Sequence, residues 1–277
     1  MISGTTTLIA HVGYPTHSFK SPLIYNPWFE KNGIDALVVP MGIKAEEYPE
    51  FFKYLFKMTN IRGALITMPH KVTTVGLVDE LTPTVQIAGA ANAVLLREDG
   101  TLLGDQFDGA GFVRGVERKG FPLAGKRALV VGNGGVGSAI AASIAGAGVA
   151  ALGLFDPYKE ASEALAARID EHYPEIRIDT GSSDPDGYDI VVNATPLGMN
   201  DGDPLPMDVD RISPDTFVGE VVMKQQITPF LQAAKDKGCR VQVGTDMLFE
   251  QIPAYLEFFG FGTATPEALR AVSPIKG

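Results

Sequence analysis

Cysteine is almost absent from this sequence: Cys239 is the only one among 277 residues. A single thiol forms no intrachain disulfide, and it supplies too few ligands for a structural zinc or iron–sulfur site. We therefore expect no metal centre, and we expect a reducing cytoplasm as the location.

Positive charge is also scarce, with 23 Lys and Arg against 33 Asp and Glu and a formal net charge of -10. Such a chain on average repels a phosphate backbone or an anionic membrane. No stretch of about 18 apolar residues occurs, and the N-terminal MISGTTTLIAHVGYP lacks the features of a secretory signal. We expect a soluble protein with a small-molecule substrate and no nucleic-acid or membrane partner. Monomer and homodimer both stay open.

Apolar residues make up 45% of the chain and charged residues 20%. This is an ordinary globular composition, with enough apolar side chains for a sizeable core. A chain of 277 residues fits two domains, at about 100 to 200 residues per domain.

The N-terminal part alternates branched apolar runs with helical patterns. The runs are TLIAHVG, IDALVVPMGI and GALITM, and the helical segments between them are SPLIYNPWFEKNG and AEEYPEFFKYLFKMT. This order predicts a parallel sheet built from βαβ units. Ser21 before Pro22 is typical of a helix N-cap, and His70 after Pro69 indicates another helix start.

Two short strands follow in NAVLLREDGTLLGD. We expect Asp99-Gly100 to supply the positive φ angles of a tight hairpin turn there, at an edge of the sheet. A second alternating series contains the strands RALVV, ALGLFD, DIVVNA and TFVGEVV, a helix from about Gly135 to Ala147 and a helix over KEASEALAARIDEHY. The helical tail, DMLFEQIPAYLEFFG and TPEALRAV, is expected to return to the first domain.

A glycine loop lies between the strand RALVV and a helix of small residues. Glycines permit a tight turn and the close approach of a pyrophosphate, and free N–H groups at the helix N-terminus attract negative charge. Because an acidic residue ends the next strand, the loop predicts dinucleotide binding rather than a turn that binds nothing. The predicted cofactor-binding residues are Gly132, Asn133, Gly134, Gly135, Val136, Gly137 and Asp156.

The identity of residue 156 bears on the choice of cofactor. A carboxylate there accepts hydrogen bonds from the adenosine ribose hydroxyls and repels a 2′-phosphate, which favours NAD over NADP. Lys159 weakens this preference because its ammonium could accommodate a phosphate, unless it is a solvated lysine at a helix start. We predict NAD as the cofactor and keep NADP as the alternative.

Polar residues follow the predicted strands of the first series. The segment TMPHK, residues 67–71, ends a strand and opens a helix, a common location for binding residues in α/β sheets. Asn92, Asp105 and Asp108 lie in further polar loops and could surround the same ligand. Taken alone, a lysine such as Lys71 after a proline is usually a solvated surface residue.

Seven motifs occur in the order, and at the separations, found in shikimate dehydrogenases. They are HSFKSP, TMPHK, GAANAV, LLGDQFDG, GNGGVG, NATPLGM and GTDMLFEQ, and they span nearly the whole chain. Most are weak individually, but their ordered combination is improbable by chance. The chain therefore resembles the shikimate/quinate dehydrogenase family.

The resemblance implies reversible reduction of 3-dehydroshikimate to shikimate by hydride transfer from a nicotinamide cofactor. It implies that Lys71 and Asp108 form the catalytic pair. The lysine ammonium would stabilise negative charge on the carbonyl oxygen and deliver a proton, and the aspartate would orient the lysine. The resemblance further implies the substrate-binding residues Ser18, Ser21, Thr67, Asn92 and Gln251, and a nicotinamide wall of Thr195, Gly198, Met223 and Gly244.

The sequence departs from the family at three positions. Phe19 stands where a serine or threonine usually joins Ser21 in binding the substrate carboxylate, so Ser18 is displaced by one residue. Leu65 replaces an asparagine of many members, and Met223 replaces a tyrosine. His17 is a further candidate for the missing contact, and an N-cap is the alternative role for Ser21.

The predicted architecture is α/β with two domains and an active-site cleft between them. A substrate-binding domain with a mixed or parallel sheet takes residues 1–108 plus 245–277, and a Rossmann domain takes 109–244. Three alternatives stay open: a quinate, aminoshikimate or other analogue dehydrogenase, a non-catalytic NAD-binding regulatory protein, and a two-domain dehydrogenase acting on folate.

Overall fold

The computed structural model describes residues 2–275. The chain folds into two compact units, unit 1 with Met1–Phe107 and Ile252–Gly277, and unit 2 with Asp108–Gln251. The predicted division, 1–108 with 245–277 against 109–244, places the joints differently. The second joint falls inside a helix, Gly244–Phe259, that runs through it without interruption.

Unit 1 contains a mixed six-stranded sheet. Its strands are β1 (Thr7–Gly13), β2 (Ala36–Gly42), β3 (Ile61–Ile66), β4 (Glu80–Leu81), β5 (Ala93–Leu96) and β6 (Leu102–Asp105). They lie in the order β2-β1-β3-β5-β6-β4. The first three are parallel, as predicted, whereas β5 is antiparallel to both β3 and β6.

The hairpin between β5 and β6 differs from the predicted one in two ways. The loop is longer than a two-residue turn, because the N–H of Gly100 bonds the carbonyl of Arg97 and the N–H of Arg97 bonds the carbonyl of Thr101. Only Gly100 has a positive φ, of 88°, and Asp99 does not. The hairpin is also not at the edge of the sheet, since the short strand β4 pairs with β6 beyond it.

Unit 2 contains six parallel strands. They are β7 (Arg127–Val131), β8 (Ala151–Phe155), β9 (Arg177–Thr180), β10 (Ile190–Asn193), β11 (Phe217–Glu220) and β12 (Arg240–Gln242), in the order β12-β11-β10-β7-β8-β9. The chain reverses its direction of travel across the sheet between β7 and β10. This is the strand order of the Rossmann fold, in which ligands bind at the carboxyl ends of the strands beside that switch point.

Ten α-helices accompany the two sheets within residues 2–275. In chain order they are α1 (Pro22–Lys31), α2 (Tyr48–Leu55), α3 (Lys71–Val75), α4 (Pro83–Ala88), α5 (Asp108–Arg118), α6 (Gly135–Gly146), α7 (Lys159–His172), α8 (Pro229–Asp236), α9 (Gly244–Phe259) and α10 (Pro266–Val272). In unit 2, α5 lies close against α6, because a Cβ on Gly109 would overlap the carbonyl oxygen of Ala139.

The start of α1 was predicted at the right residue but with the wrong capping interaction. Pro22 is its first residue, and the hydroxyl of Ser21 makes no capping hydrogen bond. Residue 21 already has helical backbone angles, φ -54° and ψ -45°, whereas side-chain capping requires an extended residue.

Three further features bear on membranes, metals and disulfides within residues 2–275. No helix in that range is long and apolar enough to cross a membrane. The same residues include no group of three or more His, Cys, Asp or Glu side chains placed to hold a metal ion. The thiol of Cys239 is buried and forms no disulfide.

Candidate active site

In unit 1, three of the predicted site residues lie around the carboxyl end of β3. The N–H of Ile66 bonds the carbonyl of Asn92 at 2.8 Å, and the N–H of Ala91 bonds the carbonyl of Lys71 at 2.9 Å. Thr67 directly follows β3, and its N–H bonds the carbonyl of Val12 in β1 at 2.9 Å. The sheet and the start of α3 thus bring Thr67, Lys71 and Asn92 together.

Asn92 is buried, with 1% of its surface exposed. Its side-chain oxygen accepts a hydrogen bond of 2.9 Å from the N–H of Phe107. Its Nδ2 group has no hydrogen-bond partner among the described residues. A buried amide donor without a partner is costly, so this group is available to a ligand oxygen.

His70, the residue before Lys71, is held by several contacts at the start of α3. Its imidazole stacks on Tyr48 at 3.9 Å between ring centroids, and its Nε2 lies 3.0 Å from the carbonyl oxygen of Ile43. The hydroxyl of Thr74 donates to the carbonyl of His70 at 2.9 Å. Burial lowers the pKa of His70, and the contact with Ile43 opposes that shift. These contacts fix the first turn of α3.

A second group of side chains lies on the same face of β1 and β3 as Thr67. His11 pairs with Leu65 in the parallel register, and a Cβ on Gly13 would overlap the methyl group of Thr67. Phe19 stacks on His11 with centroids 4.1 Å apart. Since side chains alternate along a strand, an apolar wall of Phe19 and Leu65 adjoins Thr67.

Burial lowers the pKa of His11 to about 4, and the charge of the Lys71 ammonium acts in the same direction. The imidazole is therefore neutral near pH 7, and the wall carries no cation.

The predicted carboxylate-binding residues flank Phe19 in the sequence. Ser21 is half-buried. The side chain of Ser18 lies outside the described part of the structure, and His17 is exposed.

Asp105, which could surround the same ligand as Asn92 and Asp108, is already hydrogen-bonded within unit 1. Asp105 accepts hydrogen bonds of 2.7 Å from the hydroxyl of Thr82 and from the N–H of Gln106. Burial raises its pKa, and these two hydrogen bonds oppose the rise. Its carboxyl group therefore has a structural task within unit 1.

In unit 2, the glycine loop follows β7 and its glycines have two distinct environments. Gly132 has a φ of 96°, and a Cβ there would lie 2.8 Å from the main chain of Thr195. A Cβ on Gly137 would overlap the carbonyl of Gly132. Gly134 and Gly135, in contrast, have open space where a Cβ would stand. The loop thus has two packed glycines and two that leave room for an approaching ligand.

Asn133 and Asp156 hold this loop in place. The N–H of Asn133 donates to Oδ2 of Asp156 at 2.8 Å, and the N–H of Tyr158 donates to Oδ1 at 2.9 Å. The side chain of Asn133 is buried and accepts from the hydroxyl of Ser162 at 2.8 Å. Its amide side chain therefore ties the loop to α7. Asp156 stays half-buried after β8, with lone pairs left for further donors.

Two loops continue from the carboxyl ends of β10 and β11, beside the glycine loop. Asn193 Oδ1 accepts from the N–H and the hydroxyl of Thr195, at 3.1 and 2.6 Å. Met223 is 41% exposed, and a Cβ on Gly244 would overlap the carbonyl of Val222. The predicted nicotinamide residues Thr195, Met223 and Gly244 are therefore in one region of unit 2, adjacent to Gly132.

Asp108 and Gln251 both belong to unit 2. Asp108 is the first residue of α5 and is 7% exposed. A Cβ on Gly111, one turn later, would lie 2.7 Å from the Cβ of Gln251 in α9. The side-chain oxygen of Gln251 is buried and has no hydrogen-bond partner within residues 2–275. Because Lys71 belongs to unit 1, the pairing of Lys71 with Asp108 stays a prediction.

Known proteins resemble this chain over most of its length. The family model of the shikimate dehydrogenase substrate binding domain matches residues 12–94. The shikimate dehydrogenase (NADP(+)) of Rubrobacter xylanophilus is 34% identical over 90% of this chain and 89% of its own. The chain belongs to the shikimate/quinate dehydrogenase family. It is an oxidoreductase of the shikimate dehydrogenase type.

Two solved structures match the fold closely. Shikimate 5-dehydrogenase from Listeria monocytogenes, in complex with shikimate and NAD, has a TM-score of 0.91 at 26% identity, over 98% of this chain and 97% of that one. The ligand-free 5-ketofructose reductase of a Gluconobacter strain has a TM-score of 0.89 at 26% identity, over 98% of both chains. The predicted two-domain α/β class is therefore confirmed.

Two buried side chains beside the predicted sites, His11 and Glu220, were not predicted from the sequence. His11 was detectable, because period-two alternation along TLIAHVG places it on the face of Gly13. Glu220 was also detectable as the acidic end of the otherwise apolar strand FVGE. It is fully buried, with 0% exposure.

Proposed function

We propose that this chain catalyses reversible hydride transfer between NAD(H) and one ring carbon of its substrate, which is a carbonyl in 3-dehydroshikimate and a secondary alcohol in shikimate, with this pair or a close analogue as the reactants. The observation that carries the proposal is the grouping of Thr67, Lys71 and Asn92 at the end of β3, with the buried Nδ2 of Asn92 lacking a partner among the described residues.

Each proposed site residue has a task that suits its chemistry. The Lys71 ammonium delivers a proton to the carbonyl oxygen, and accepts one in the reverse direction. Asp108 orients that ammonium and binds an adjacent hydroxyl. Thr67 and Asn92 bind ring hydroxyls, and Gln251 adds an acceptor through its unpartnered side-chain oxygen in the described region. Ser18 and Ser21 remain the candidates for the substrate carboxylate.

The residues present fit a dinucleotide. The open positions at Gly134 and Gly135 and the N-terminus of α6 suit a pyrophosphate, with Val136 beside them. Asp156 suits the adenosine ribose, and Thr195, Met223 and Gly244 suit the nicotinamide half. When bound, the nicotinamide supplies or accepts the hydride.

A preference for NAD is supported by the surroundings of residue 156. The carboxylate of Asp156 repels a 2′-phosphate. Lys159, the nearby cation that could compensate, has its ammonium 3.0 Å from the carboxylate of Glu163. Pro157 and Tyr158 add no positive charge. Because relatives are named for NADP, we expect a preference for NAD rather than its exclusive use, with residual activity on NADP.

Phe19 favours a second candidate, an analogue with a different group at the carboxylate end. The apolar wall of Phe19 and Leu65 offers no cation to an anionic group. Quinate carries an additional ring hydroxyl but keeps the carboxylate, whereas 5-ketofructose, named for a similar structure, is uncharged. The buried lone thiol of Cys239 supports a reducing, cytoplasmic location.

Initial rates test these proposals directly. Shikimate and quinate are each assayed against NAD and NADP on one purified sample, and reduction of 5-ketofructose is assayed with NADH. Turnover of shikimate with NAD favoured is the expected result. Turnover of quinate or 5-ketofructose alone would select the second candidate. Absence of turnover in every combination would contradict shikimate as the substrate and favour an altered analogue or a non-catalytic NAD-binding protein.

A further inference from the structure

Glu220 is a buried carboxyl group that the proposed chemistry does not use. It is the last residue of β11, and its side chain is fully buried. Burial raises its pKa to about 7, although a hydrogen bond from Thr228 and the side chain of Asn193 oppose the rise. Burying an ionisable group is costly, so its presence at the end of an apolar strand calls for a specific role.

The carboxyl group of Glu220 links the two ends of loop 221–228, one of the two loops beside the switch point. The hydroxyl of Thr228 donates to Oε2 of Glu220 at 2.8 Å. The same hydroxyl oxygen caps α8 by accepting from the N–H of Leu231 at 3.2 Å. One acceptor thus joins both ends of loop 221–228, the loop that presents Met223.

The second loop depends on the first. A Cβ on Gly198, which has a φ of 98°, would lie 3.4 Å from the methyl group of Thr228. The side chain of Gln225 donates to the carbonyl of Gly198 at 3.0 Å. Asn193, which holds Thr195, is paired with Glu220 in the parallel register. Loop 194–198 therefore rests on the part of loop 221–228 that Glu220 fixes.

Strand order assigns these loops to one half of the cofactor. Asp156 follows β8 on one side of β7, and the two loops follow β10 and β11 on the other side. A dinucleotide whose pyrophosphate lies at the glycine loop and whose adenosine ribose lies at Asp156 places its nicotinamide half toward β10 and β11. Contacts at these loops therefore affect the nicotinamide half selectively.

We infer that Glu220 is a positioning residue for the nicotinamide half of the cofactor, acting through Thr228 on the loops that carry Thr195 and Met223. The inference rests on the proposed use of NAD. It predicts that loss of the Glu220–Thr228 hydrogen bond weakens binding of NAD without weakening binding of ADP-ribose, which has no nicotinamide ring.

Calorimetric titration with NAD and with ADP-ribose tests the inference on the full chain. Glu220→Ala removes the acceptor, and Thr228→Val removes the donor at nearly constant volume. Both variants should bind NAD about tenfold more weakly, with ADP-ribose affinity unchanged. Glu220→Gln keeps a side-chain oxygen that can accept from Thr228 and should retain most of the NAD affinity.

Thr216→Val is the matched control, because Thr216 directly precedes β11, at the end opposite Glu220, and its hydroxyl donates a part-buried hydrogen bond of 3.0 Å to the carbonyl of Tyr188. It should leave both affinities unchanged. Unchanged NAD binding in Thr228→Val, or an equal loss for NAD and ADP-ribose, overturns the positioning role while the proposed function stands. A wild-type protein that binds neither ligand overturns both.

Discussion

The main-chain N–H of Asn133 donates a hydrogen bond of 2.8 Å to Oδ2 of Asp156. One carboxylate therefore fixes the glycine loop and, in the proposed function, also accepts hydrogen bonds from the hydroxyls of the adenosine ribose. The two tasks need different properties. Holding the loop needs only an acceptor, whereas rejecting a 2′-phosphate needs the negative charge.

Asp156→Asn separates these two tasks, because the amide keeps one acceptor oxygen and loses the charge. We expect the ratio of kcat/KM for NADP to that for NAD to rise by about tenfold or more. Steady-state rates with both cofactors measure this ratio. Asp179→Asn, at an exposed ion pair with Arg177 in neighbouring β9, is the control. An unchanged ratio in Asp156→Asn would refute the assignment of this residue to the ribose.

Much of the fold was predictable because its strands are continuous apolar runs buried between helices. The strands β7, β8, β10 and β11 were all found in this way. The strand β9 was missed because RIDT is only partly buried at the sheet edge, which leaves no apolar run. Two-residue β4 is too short for any periodicity, and missing it led to the wrong edge for the hairpin.

Candidate site residues could be proposed from the sequence only where their chemistry leaves a local signal. A glycine loop between strand and helix is such a signal, and so is Lys71 in its motif. The stacking of Phe19 on His11 is not, because it joins a loop residue to a strand through three-dimensional packing. The link from Glu220 to Thr228 likewise depends on where α8 begins.

Lys71→Ala removes the proposed proton donor. We expect turnover to fall by about a hundredfold or more, with NAD affinity nearly unchanged, because Lys71 lies in unit 1 and the glycine loop in unit 2. Turnover and calorimetric NAD affinity are both measured. Lys31→Ala, at an exposed residue ending α1, should change neither. Full activity of Lys71→Ala would contradict its catalytic role.

Phe19→Ser replaces part of the apolar wall with a hydroxyl group. If that wall disfavours substrate carboxylates, kcat/KM for shikimate or quinate should rise by about tenfold, mainly through a lower KM. The reason is that a hydroxyl in the site can hydrogen-bond the carboxylate, and such a contact discriminates strongly between substrates that have the partner group and those that lack it. Phe19→Leu keeps the wall apolar and should show no such gain. A fall in kcat/KM for both acids in Phe19→Ser would show that the aromatic ring itself contacts the substrate.

Two glycines of the cofactor loop should respond differently to an added methyl group. Gly137→Ala forces a Cβ onto the carbonyl of Gly132, so we expect a loss of about 3 kcal/mol in unfolding free energy. Gly134→Ala meets no protein atom, so stability should hold while NAD affinity falls about tenfold, since the methyl group occupies the space of the pyrophosphate. Thermal unfolding and calorimetry distinguish the two. Equal destabilisation by both variants would contradict the assigned environments.

His11 should make the protein less stable in mild acid. Its pKa is lowered to about 4, by burial and by Lys71, against about 6.5 in an unfolded chain. The unfolded state therefore binds the proton first as the pH falls, so the unfolding free energy decreases between pH 6.5 and 4 and is unaffected above that window. The difference between the two pKa values corresponds to about 3 kcal/mol of unfolding free energy.

His11→Leu cannot titrate at this position. Its loss of stability between pH 7 and 4, measured by urea unfolding, should therefore be smaller than that of the wild type by about that amount. His17→Leu, at an exposed residue, should behave as the wild type. An identical pH dependence in His11→Leu and wild type would mean that the imidazole accepts a proton in the folded state as readily as in the unfolded chain.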